Sequence, residues 1–158
     1  MAEEKKLEGL GGWLILVGIG IIASPIRMIA VIYPGYSKLF TDGSWQALTT
    51  SGTESYNPFW APILISEIAI NGALILVWFF IAFLFFTKKR LFPKLFIGIW
   101  VFSLAFILVD AVAIRAVLPN EEIFDPDTTK EFARSLITAL IWVPYMLLSK
   151  RVKATFVK

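Results

Sequence analysis

Four long apolar runs, set apart by basic clusters and polar loops, constrain this chain more than anything else in it. A helix needs roughly 20 apolar residues to cross a hydrocarbon core about 30 Å thick. Runs of that kind cover residues 9–33, 58–86, 92–118 and 129–149. With 58% hydrophobic and 17% charged residues, the chain cannot cover its own surface with polar groups, so lipid is its expected solvent. The predicted fold class is all-α, an integral-membrane antiparallel four-helix bundle, with residues 1–158 forming a single domain.

Orientation follows from lysine and arginine. Ten of the 15 basic residues fall into three clusters: Lys5 and Lys6; Lys88, Lys89, Arg90 and Lys94; Lys150, Arg151, Lys153 and Lys158. The opposite loops hold only Lys38 and Lys130, and the second of them is acidic, with Glu121, Glu122, Asp125, Asp127 and Glu131. Basic segments stay on the cytoplasmic side, which predicts that both termini face the cytoplasm. Ala23-Ser24 raises a cleavable leader, but apolar sequence continues through Ile26 and from Met28 to Tyr33, so a retained first helix is expected.

The net charge of +3 does not point to nucleic acid, because the basic residues sit at the ends of apolar runs and form no surface stripe. Their expected partners are anionic lipid headgroups. The chain has no cysteine and no histidine, hence no thiolate nucleophile, no sulfur ligand and no imidazole shuttle. No metal site, no cofactor and no enzymatic activity are expected.

Local signals refine the plan. Pro25 should kink or unwind the first helix, whose Gly9, Gly11, Gly12, Gly18 and Gly20 leave a thin side for close packing or for glycine merely tolerated in lipid. A loop is predicted from Tyr33 to Phe59, with a short interfacial helix near Ser44 to Thr50 and an apolar edge of Leu39, Phe40, Trp45 and Leu48. Lys88-Lys89-Arg90 makes a tight turn between the second and third helices, and Pro119-Asn120 stops the third. Asp127-Thr128-Thr129 with Glu131 reads as the start of the fourth. Trp13 and Trp60 suit the two interfaces, whereas Trp78, Trp100 and Trp142 fall deeper.

Five charges lie in or against the apolar runs: Arg27, Glu67, Asp110, Arg115 and Arg134. Each costs about 2.5–3.5 kcal/mol at a helix centre, so such residues face other helices or a watery cavity. At about 1.5 Å of rise per residue, all five belong to the outer half. Glu67, Asn71, Leu74 and Trp78 share one stripe, and Arg134, Thr138 and Tyr145 another. The predicted cluster is Arg27, Glu67, Asn71, Asp110, Arg134, Thr138 and Tyr145, with Glu67 and Asp110 paired to Arg27 and Arg134. Arg115 is rotated away and snorkels outward. Such pairs can simply pin helix orientation. They can also line a ligand or ion pocket open to the outside, with residual positive charge if every arginine and acid is ionised.

Two signatures at the chain ends carry a resemblance: Gly9-Leu10-Gly11-Gly12-Trp13-Leu14 with Pro25, and Trp142-Val143-Pro144-Tyr145-Met146 followed by Ser149-Lys150-Arg151-Val152-Lys153-Ala154-Thr155-Phe156. Together they resemble a family of small four-helix bacterial inner-membrane proteins described as a domain of unknown function, DUF2569. The resemblance implies a bacterial source and a place in the inner membrane, and brings no catalytic residues. Lys150, Arg151 and Lys153 are expected to stop the last helix while Val152, Phe156 and Val157 lie on the inner leaflet. The functional expectation is a non-enzymatic accessory or binding protein. The alternative is a subunit of a small-molecule or ion transporter or channel, acting as an oligomer or with a partner membrane protein.

Overall fold

The structure, a computed structural model, describes residues 8–120 and 122–158. Lys5 and Lys6 of the first basic cluster, and Glu121 of the acidic loop, lie outside the described residues. Among the described residues six helices follow in order: α1 (Trp13–Thr41), α2 (Ser44–Thr49), α3 (Trp60–Phe86), α4 (Phe92–Val117), α5 (Pro126–Leu148) and α6 (Lys150–Thr155). Among the described residues there is no strand. The four long helices are each apolar enough to cross a bilayer. Their outward faces stay apolar, with Leu148 75%, Leu76 70% and Leu140 66% exposed, so only lipid can satisfy them. The protein is a multi-pass membrane protein.

In the bundle α1 packs on α3, α3 on α4 and α4 on α5. Hydrogen bonds fix the ends: Gly9 joins Thr155, and Arg90 joins Lys158. The start of α1, the α3–α4 turn and the chain's C-terminal segment therefore share one end, here called the basic end. The segments 42–59, 118–120 and 122–125 share the other, the distal end.

Two helix boundaries depart from the sequence pattern. The first is at α1, which does not stop at Tyr33 but stays helical through both Pro25 and Pro34 to Thr41. A proline removes one donor, but opening the rest of a helix in a low-dielectric medium would strand several more groups, so the helix continues. Asp42 closes it by donating its N–H to the Lys38 carbonyl at 3.1 Å. Gly43 then turns at φ +83°, and the Asp42 carboxylate accepts from both the N–H and the hydroxyl of Ser44, which holds its pKa below the ordinary aspartate range.

The second is at α5, which opens at Pro126 rather than Thr129. Asp125 is the cap, its carboxylate accepting the Thr128 N–H at 2.6 Å, and Pro126 takes the first position, where no amide is needed. The same bond keeps the Asp125 pKa below its usual range. Starting three residues early brings Asp127 into the first turn of the helix.

The buried core gathers toward the basic end, where Leu14, Ile21, Ile81, Phe85, Phe92 and Phe96 interlock. The α3–α4 turn is tight because α3 ends with Lys89 N–H bonded to Leu84 O at 2.9 Å and Lys88 N–H to Phe85 O at 3.1 Å. That ending requires a left-handed residue, and Lys88 takes it at φ 56°, where glycine is the usual choice.

Candidate functional site

Above the aromatic core the four long helices separate around a cavity of about 460 Å³. Its walls come from all of them: Ser24, Arg27 and Met28 on α1; Glu67, Asn71 and Trp78 on α3; Trp100, Ser103 and Asp110 on α4; Asp127, Glu131 and Ser135 on α5. A helix offers one face every three to four residues, which is why these positions recur at that spacing. Trp78 is buried and meets Trp100 edge to face at 5.9 Å, forming an aromatic floor. The indole N–H of Trp100 is buried there without a hydrogen-bond partner among the described residues.

One polar network is fully oriented. Asn71 Nδ2 donates to the Tyr36 hydroxyl at 2.8 Å, and that hydroxyl donates to Glu67 Oε1 at 3.0 Å. Tyr36 is absent from the predicted cluster because the sequence pattern ends the first helix at Tyr33. Its signal lies in the register: Gly20, Ser24, Met28 and Ile32 line the cavity from α1, and Tyr36 is the next residue four along.

The structure brings Arg27, Glu67, Asn71 and Asp110 to this cavity and leaves Arg134, Thr138 and Tyr145 off its walls. The inward face of α5 carries Glu131 and Ser135 and continues to the buried Ala139 and Met146. One residue is about 100° of helical rotation, so with Ser135 inward Arg134 is turned aside, and it is exposed. The Thr138 hydroxyl donates back to the Arg134 carbonyl at 2.8 Å. Tyr145 lies roughly 28 Å along α5 from its start, by the helical rise, and packs on Trp142 near the basic end. The predicted pairing also changes: Glu67 takes its hydrogen bond from Tyr36, and among the described residues none joins Glu67 or Asp110 to Arg27 or Arg134. Arg115 is exposed.

At the basic end a clasp ties the segment before α1 to α6. Thr155 is 2% exposed, and its hydroxyl accepts from the Gly9 N–H at 3.1 Å and donates to the Gly9 carbonyl at 3.2 Å. Arg90 N–H donates to Lys158 O at 2.7 Å, and Arg90 Nε to Val157 O at 2.6 Å. Phe156 stacks on Phe92 at 4.4 Å and leans on Phe85 at 5.8 Å. The family model described as "Protein of unknown function (DUF2569)" matches residues 7–157, both ends of the chain and everything between. The chain belongs to this family. No curated protein and no solved structure matches it.

In this DUF2569 protein the two end signatures meet in space. Gly11 faces the Arg151 guanidinium so closely that a Cβ there would stand 3.1 Å from Nη1. Trp13 meets Trp142 edge to face at 6.3 Å. The C-terminal segment does not lie out on a membrane surface with its apolar residues in lipid, as its basic-apolar pattern suggests. Val152 and Phe156 are buried in the core, and Val157 alone of the three is exposed. The reason is aromatic complementarity: Phe85 and Phe92 form a socket that Phe156 fills.

Proposed function

We propose that this protein is a non-enzymatic binding or accessory protein of the bacterial inner membrane, with its basic end in the cytoplasm and its cavity open to the outside. The observation that carries this reading is the cavity itself, which has the volume of a small-molecule site and combines an aromatic floor with charged walls drawn from four separate helices. The basic residues Lys88, Lys89, Arg90, Lys150 and Arg151, gathered at the clasped end, support the orientation and suit anionic headgroups there.

A second reading, as a subunit of an oligomeric transporter, is favoured by one feature. The cavity stops at the Trp78–Trp100 floor, with the Phe85–Phe92–Phe156 cluster packed between that floor and the basic end, the asymmetry of a carrier resting with one gate shut. That reading requires flux, which a binding protein does not produce.

Native mass spectrometry of protein purified in mild detergent tests the first reading. The wild type is expected to carry a bound small molecule or lipid that the double variant Glu67→Gln, Asp110→Asn loses. If the wild type carries no added mass, and the variant changes neither thermal stability nor any ligand-induced shift, the cavity has no binding role.

A further inference from the structure

We infer that the occupant of this cavity is an organic cation: a protonated amine or quaternary centre on an apolar body. The inference rests on the binding reading above and specifies the ligand's charge.

The walls settle the sign differently from the sequence tally. With Arg115 and Arg134 off the cavity, Arg27 is the one basic residue on its walls among the described residues, against four acidic ones, Glu67, Asp110, Asp127 and Glu131. These carboxylates come from α3, α4 and α5, so helix packing, not local sequence, brings them together. All four carboxylates line this one space. Like charges held around a partly dehydrated space repel, and a cation among them relieves that repulsion. Glu67 is held as an acceptor, since the Tyr36 hydroxyl accepts from Asn71 Nδ2 and donates its own proton to Glu67 Oε1.

The remaining features choose an organic cation over a metal ion. Among the described residues no group of three or more histidine, cysteine, aspartate or glutamate side chains is placed to hold a metal. The volume of about 460 Å³ far exceeds what a bare ion fills. Below the carboxylates lie Leu74, Trp78, Trp100 and Phe106, an apolar and aromatic lining suited to the body of an organic cation.

A size-matched pair of ions tests this. Tetraphenylphosphonium and tetraphenylborate have the same four-phenyl shape and opposite charge, and each can be titrated against the full-length protein in uncharged maltoside micelles by tryptophan fluorescence and thermal shift. The phosphonium is expected to bind at least about tenfold more tightly than the borate. Asp110→Asn with Glu131→Gln should weaken the phosphonium by about tenfold, and Arg27→Ala should tighten it, an opposite sign that a general loss of structure would not produce. Equal or tighter binding of the borate would overturn the charge assignment and leave the binding reading standing. Phosphonium binding that ignores all three substitutions would overturn it as well. Saturable binding of neither ion would overturn the assignment together with the binding reading beneath it.

Discussion

Phe156→Ala should destabilise the protein by about 3–5 kcal/mol, the range for removing a buried phenylalanine from a packed core. Phe156 is 5% exposed and is followed by only two residues in the chain, a position where side chains are usually dispensable. Here the ring fills the socket formed by Phe85 and Phe92, and its loss leaves a cavity lined by side chains from α3 and α4. The socket also seats the tail whose backbone is tied to Arg90 and Lys88, so the substitution weakens the clasp that holds the first and last helices together. Thermal unfolding in maltoside micelles, followed by tryptophan fluorescence, measures it. Val157→Ala, one residue on and 50% exposed, should stay within about 0.5 kcal/mol of wild type.

Gly18→Val should also lower stability, by about 1–3 kcal/mol, through overpacking. A Cβ at Gly18 would stand 3.0 Å from Phe85 Cε1 and 3.3 Å from Cζ. Phe85 cannot retreat, since it is 2% exposed and held by Phe86, Phe92 and Phe156. The same unfolding experiment separates this from a general dislike of side chains on α1: Gly20→Ala meets nothing within 4 Å and should be close to neutral. The thin side of the first helix is thus two different things. Gly18 and Gly11 admit Phe85 and Arg151, whereas Gly20 has nothing pressed against it.

What could be read from the sequence, and what could not, divides along helical phase. Length and hydropathy locate four spans because the bilayer demands them irrespective of packing. The Glu67–Asn71–Leu74–Trp78 stripe was legible because its polar residues stand out from an otherwise apolar helix, and all four reach the cavity. On α5 the same logic misleads. Taking Arg134 as the inward residue sets the phase by one conspicuous charge, while the face that packs is carried by the quieter Ser135, Ala139 and Met146. A single residue of error in that choice moves the inward face by about 100°. Asp125-Pro126 was a legible helix start, a capping carboxylate followed by a proline at the first position, and it would have drawn Asp127 and Glu131 into the site. The bond between Gly9 and Thr155 spans 146 residues, and no local pattern encodes a contact of that kind.

The proposed cavity, open to the outside and sealed toward the cytoplasm, is tested most directly by thiol labelling, because the chain has no cysteine of its own. Ser103→Cys places a single thiol on the cavity wall, and Lys89→Cys places one in the turn at the basic end. In intact cells, a membrane-impermeant charged maleimide is expected to modify Ser103→Cys from outside and to reach Lys89→Cys only after the membrane is broken. A Ser103→Cys thiol that stays silent from outside, or a Lys89→Cys thiol that reacts in intact cells, would contradict the account.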